Sequence, residues 1–125
     1  MTDSTTLILL DSFITSHTKV IRNTNVLTDV DLSELFEIET SAIHLIIEAN
    51  ITKFKNDSIF VLTEDEIPGP GVRYVFSDPG VFILAGLIKS KRAIRIYVQL
   101  IELLVNKLQD RAYELATSYQ PDKVW

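Results

Sequence analysis

Four bases fall within seven residues at Lys89, Lys91, Arg92 and Arg95, the densest basic cluster of the chain. Ser90 stands among them as a candidate helix cap. A helix opening here would add its free backbone N–H groups to the four side chains, a combination that favours phosphate. The competing reading is four solvated charges on a turn. A second pair, Lys53 and Lys55, brackets Phe54. It reads either as two phosphate contacts beside a core anchor or as a solvated pair without a role. Such contacts set register and carry no sequence information. The third set is Thr40, Ser41 and His44, polar side chains at the start of an apolar helical run. If that helix lies in a major groove, these are the groups placed near base edges, although hydroxyls discriminate poorly between bases.

Other chemistries find little to work with. Glu64-Asp65-Glu66 has no nucleophile, partner His or ligand set nearby, so it reads as a solvated acidic turn. With no Cys, and with His17 and His44 the only histidines, we expect no metal site, no cofactor and no enzyme. Pro68-Gly69-Pro70-Gly71 lacks the Gly-Lys-Ser/Thr ending of a phosphate loop and reads as a turn.

The 125 residues carry 12 Lys+Arg against 17 Asp+Glu, a formal net charge of -5. This length suits one domain spanning residues 1–125 with a core of its own. The acidic balance opposes non-specific affinity for nucleic acid or anionic membrane. It is also uneven. Met1 to Thr63 holds four bases and nine acids, whereas Glu64 to Trp125 holds eight of each. The N-terminus lacks a basic signal region, and the longest apolar run, Val81 to Ile88, is far short of the ~20 residues of a membrane span. A cytoplasmic protein with no membrane partner is expected.

The elements that must position these groups are short. Thr5 to Leu10 reads as a strand or as the start of a helix running toward Ser16. Lys19-Val20-Ile21-Arg22 and Val26-Leu27 suggest a hairpin turning at Asn23-Thr24-Asn25. Thr28 with Asp31 forms a weak capping box for a helix ending near Glu37, its apolar face Leu32 and Leu35-Phe36. A second helix, from Thr40 or Ser41 to about Thr52, would bury Ile43, Ile46, Ile47 and Ile51 and present Ser41, Ala42, His44, Leu45, Glu48 and Ala49. Helix, short turn and helix make the skeleton of a helix-turn-helix. Ile59 to Leu62 and Arg73 to Phe76 pair as strands, and Ser77-Asp78-Pro79 opens a helix through Ile88, capped by Ser77. A long helix follows from about Lys91 to near Tyr119. The fold class is α+β.

Several of these blocks occur together in one known family. Ile21-Arg22, Val26 through Phe36, Glu39-Thr40, Asn50 through Phe54, Phe60 through Glu66, Phe76 through Val81 and Arg92-Ala93-Ile94 resemble, in order and spacing, the phage ORF-six N-terminal domain family. That family is a relative of the KilA-N domain. The resemblance runs from about Ile14 to Leu104, leaving a C-terminal helix extension over about residues 105–120. It implies an α+β nucleic-acid-binding module of phages, prophages or satellites, with a role in transcription regulation or antirepression. It implies no catalysis. Members usually carry Gly where this chain has Glu37; a left-handed Glu would cost about 1–2 kcal/mol, so a different turn is expected. Members also carry bases where this chain has Ser41-Ala42.

The last helix carries a separate pattern. Ile94, Tyr97, Ile101, Leu104 and Leu108 follow the 3-4-3-4 spacing of a coiled-coil seam, and Ile96, Leu100 and Leu103 mark a neighbouring apolar stripe. One stripe suits the core, and the other suggests a homodimer or a burial across the hairpins. The sequence thus supports a dimeric regulator of double-stranded DNA, with a protein-binding antirepressor or inhibitor module as the alternative. In the alternative, Ala42, Leu45 and Ala49 form the contact and the surrounding acids repel DNA.

Overall fold

The computed structural model describes residues 4–55 and 57–118. The apolar start of the chain is helical: α1 runs Ser4–His17. It packs beside the last helix, and Leu10 is its buried anchor. Thr18 closes the helix by bonding Ile14 O through its amide and its hydroxyl.

Strands β1 (Lys19–Ile21) and β2 (Thr24–Thr28) pair antiparallel with Lys19 opposite Val26 and Ile21 opposite Thr24. The connection is therefore Arg22-Asn23, not the expected Asn23-Thr24-Asn25. Both residues take positive φ, 54° and 59°. That is the two-residue turn whose twist matches the flanking strands, and Asn tolerates it well. Strands β3 (Ile59–Val61) and β4 (Tyr74–Phe76) pair as the sequence suggests. The two hairpins do not stay separate. Leu27 pairs with Phe76 and Thr28 with Val75, which makes one antiparallel sheet of order β1-β2-β4-β3. β4, central and paired on both sides, is buried at every residue.

Helix α2 (Asp29–Phe36) leaves the end of β2 through a complete capping box. Asp31 N–H donates to Thr28 Oγ1, and Thr28 N–H donates to Asp31 Oδ2, both at 3.0 Å. Lys19 Nζ reaches the same Asp31 oxygen at 3.1 Å. Three residues later α3 (Thr40–Ala49) begins. It is shorter than the expected helix, and a 3-10 turn, Ile51–Lys53, follows. Helical spacing lapses at Asn50, so Ile51 is not on the core face but 54% exposed.

Helix α4 (Asp78–Leu87) starts with Pro79 in its first turn, as expected. Ser77 occupies the cap position, but its hydroxyl does not cap. It donates to Asp57 O at 2.5 Å and to Ser58 O at 3.3 Å, tying the helix start to the loop before β3. Helix α5 (Lys91–Ser118) opens on Ser90, whose Oγ accepts Ala93 N–H at 3.0 Å. Of its two apolar stripes, Ala93, Ile96 and Leu100 are buried, with Leu103 packed against the core beside them. The core gathers Leu32, Leu35 and Phe36 of α2, Ile43 and Ile47 of α3, Phe76 of β4 and Leu84 of α4. Among the described residues no helix is long and apolar enough to cross a membrane. The architecture is α+β, with five α-helices on a small sheet among the described residues.

Candidate nucleic-acid interface

The turn between α2 and α3 is Glu37-Ile38-Glu39. Glu37 takes the left-handed conformation (φ 55°, ψ 49°), so the turn keeps the geometry for which Gly is the usual residue, contrary to expectation. Its bonds explain how. Ile38 N–H donates to Ser33 O at 3.1 Å and Glu37 N–H to Glu34 O at 3.3 Å, the paired bonds of a Schellman motif. Ser33 Oγ donates to Ile38 O at 2.5 Å, and Arg92 reaches across from α5. Its Nε donates to Leu35 O at 2.8 Å and lies 3.3 Å from Glu37 Oε2. These contacts hold Glu37 against its backbone preference. Glu37→Gly should therefore be more stable than Glu37→Ala by about 1 kcal/mol, because both lose the ion pair and only Ala keeps the left-handed strain. Urea unfolding midpoints of the two variants measure that difference.

Of the three groups expected at base edges, Ser41 is exposed and Thr40 half-buried. His44 turns inward rather than outward. Its Nε2 lies 2.6 Å from Asp29 Oδ2, and its ring meets Tyr74 edge-on with centroids 5.2 Å apart. Asp29 Oδ2 also accepts the backbone N–H groups of Arg73 and Tyr74, each at 3.1 Å, and Oδ1 accepts Val30 N–H at 2.8 Å. An ionised carboxylate only accepts, so Nε2 is the donor from His44. Asp29 is fully buried. This carboxylate couples the start of α2, the first turns of α3 and strand β4, and so fixes how α3 stands on the sheet. The sequence reading passed it over.

Arg73, just before β4, gives no signal in the sequence beyond that of a strand residue. Its side chain is exposed and packs over Tyr74, with Cζ 5.4 Å from the ring centroid. His44 and Arg73 thus share Tyr74 as well as Asp29, which sets a cation beside the N-terminal half of α3. The flank toward α2 has the opposite sign: an open depression there is lined by Ser33, Glu34, Glu37, Ile38, Glu39 and Thr40.

Lys53 and Lys55 are exposed on either side of Phe54, which is buried edge-on to Phe76. Lys89, Lys91 and Arg95 are exposed at the opening of α5. Arg92 differs from its neighbours, because its guanidinium joins α5 to the end of α2. Among the described residues, Lys53, Lys55, Arg73, Lys89, Lys91 and Arg95 make no ion pair, whereas Lys19, Arg22 and Arg92 do. Arg22 binds both carboxylate oxygens of Glu66 at 2.8 Å. Those bonds, together with Thr63 N–H, hold the Glu66 carboxyl down to about 2. The acidic turn is therefore partly structural. His17 is occupied elsewhere, with Nδ1 2.8 Å from Phe13 O and its ring stacked on Phe13. Ile94, Tyr97, Ile101, Leu104 and Leu108, expected from their spacing to form a dimer seam, all stand on the exposed side of α5.

The described residues form an α+β body in which a three-residue turn joins α2 to α3. Residues 16–87, more than half of the chain, match the family model described as the ORF6N domain, and the chain belongs to that family. The family is phage-related, and α5 lies beyond the matched residues. No curated protein and no solved structure matches the chain.

Proposed function

We propose that the chain is a DNA-binding transcriptional regulator of a phage or mobile element, with α3 as the element that approaches the bases. The observation that carries this reading is the division of labour among its cations. Lys19, Arg22 and Arg92 are spent on internal pairs, while Lys53, Lys55, Lys89, Lys91 and Arg95, and on the far part of α5 Lys107 and Arg111, stay exposed and free of ion pairs among the described residues. A chain of net charge -5 that keeps these cations unneutralised suits phosphate contact at chosen places rather than general affinity. Thr40, Ser41 and Arg73 are the side chains offered to base edges. His44 holds α3 in place through Asp29.

Lys91→Glu with Arg95→Glu tests the reading without touching the Arg92 contacts to Leu35 and Glu37. Retention on genomic DNA fragments should fall for all sequences, and the slope of log affinity against log salt should flatten by about 2, one per lost phosphate contact. Unchanged retention and slope would overturn the phosphate assignment.

A second reading is favoured by one surface. Leu45 is 67% exposed on α3, and Glu48 and Ala49 are exposed on the same helix. Such a face fits a protein contact, and an antirepressor or inhibitor would use it. Leu45→Ala, which adds no charge to α3, separates the two: phosphate-driven DNA retention stays intact under the first reading, and regulator binding falls under the second.

A further inference from the structure

We propose that the exposed face of α5 is the seam of an antiparallel homodimer. Ile94, Tyr97, Val98, Ile101, Leu104, Val105 and Leu108 are between 37% and 61% exposed along one side of the helix. The core already covers the other side through Ala93, Ile96, Leu100 and Leu103, and α4 reaches this face at Tyr97, whose ring meets Phe82 edge-on with centroids 6.3 Å apart. Every residue from 104 to 112 is exposed. The seven side chains offer on the order of 600 Å² of apolar surface, close to the ~800 Å² per partner of a standard interface. An uncharged stripe of this extent fits a partner that presents the same stripe.

The orientation follows from the spacing and the charges. In a two-fold contact, residue i meets j and j meets i. With the axis between Ile101 and Leu104, Ile101 packs on Leu104 of the second copy and Tyr97 on Leu108. Val98 then lies beside Val105, and at each end Ile94 falls opposite Arg111. A parallel pair would instead stack Arg111 on Arg111 and set the Lys91, Arg92 and Arg95 clusters side by side, both repulsive. In the antiparallel arrangement the two Lys91 positions stand roughly 34 Å apart along the helix axis, at 1.5 Å per residue. That spacing is close to the ~34–36 Å between successive major-groove half-sites. The dimer stands independently of the DNA reading; only the match in spacing rests on it.

The chain has no cysteine, so introduced cysteines report single contacts. Sedimentation equilibrium of the full chain at tens of micromolar should give twice the monomer mass. Ile101→Glu with Leu104→Glu, both at exposed sites, should halve it while leaving the circular dichroism of the domain unchanged, and the unfolding midpoint should lose its dependence on protein concentration. A 1:1 mixture of Tyr97→Cys and Leu108→Cys should form the mixed disulfide, and Tyr97→Cys alone should not cross-link. A monomeric wild type, or a dimer that survives the double Glu variant, overturns the seam and leaves the face to a different protein. Self-cross-linking of Tyr97→Cys overturns the antiparallel order. A dimer that does not retain DNA removes the functional reading and leaves this inference standing.

Discussion

Asp29→Ala is expected to destabilise the domain by about 3–5 kcal/mol, the range for removing one partner from a buried charged network. The carboxylate is fully buried and accepts four bonds: from Val30 N–H on Oδ1 and from Arg73 N–H, Tyr74 N–H and His44 Nε2 on Oδ2. Truncation leaves three donors around Oδ2 without an acceptor, and each unsatisfied buried donor costs about 1–3 kcal/mol. The cavity is small and polar, so a water replacing the lost oxygen would recover part of this. Asp29→Asn keeps the volume but puts an NH2 group where one oxygen was, so a donor faces donors and the loss is intermediate. Urea unfolding with an unchanged m-value measures both. A loss under 1 kcal/mol for Asp29→Ala would show that the network is not what holds α3. Because the same atom grips β4 and α3, surviving folded Asp29→Ala protein should also lose discrimination between DNA sequences before it loses phosphate-driven retention. His44→Ala, which removes one donor and leaves the backbone pair, should cost less than Asp29→Ala.

Sequence reasoning missed Asp29 for a physical reason. Its local signals are those of any first-turn acid, favourable at a helix N-terminus and requiring nothing more. Its partners sit 15, 44 and 45 residues away, and no periodicity reports a contact at that separation. Thr28 and Asp31 lie at the other extreme. The capping box closes within four residues, and the structure repeats the sequence reading atom for atom. Pro79 in α4 and Ser90 before α5 were legible for the same local reason. Ser77 shows the limit of that logic. A Ser before Asp-Pro is a good cap by type, yet Asp57 and Ser58 present carbonyls to it and take the hydroxyl.

Longer-range features followed the same divide. Each hairpin was visible in its own β-branched runs, but the register that joins them, Leu27 on Phe76, depends on where α2 and α3 deliver the chain. Two stripes on α5 were visible from spacing alone. Which of them faces the core was decided by the residues of α2 and α4 that pack there. Glu37 is the instructive error. Backbone preference argued against a left-handed Glu, and that preference is real, but the Schellman bonds and the reach of Arg92 from 55 residues downstream outweigh about 1–2 kcal/mol. Arg92 was then the one member of the basic cluster with an internal duty, which residue type could not distinguish from its neighbours.

Gly80→Ala should destabilise the domain by roughly 3 kcal/mol or more, at or beyond the upper end of overpacking costs. Gly80 lies in the first turn of α4 and is buried. A methyl there would overlap the Ser58 carbonyl oxygen outright, and would sit 2.9 Å from the Ser58 carbonyl carbon and 3.4 Å from Phe76 Cβ. The obstacle is backbone, so no rotamer change relieves it. Nor can the carbonyl swing aside cheaply, since it accepts both the amide and the hydroxyl of Ser77. The Ser58 hydroxyl in turn donates to Lys55 O. Relief requires α4 to lift from the loop, which breaks the Ser77 bonds and shifts the chain leading to Lys89 and α5. Retention on DNA should fall with stability, because the basic cluster moves with the helix. Gly86→Ala is the matched control within the same helix. A methyl at Gly86 meets nothing within 4 Å, so the substitution should stabilise by about 0.5–1 kcal/mol through helix propensity alone. Thermal and urea unfolding of the two variants should therefore move in opposite directions. A Gly80→Ala protein as stable as wild type would mean that α4 does not rest on the Ser58 backbone at all.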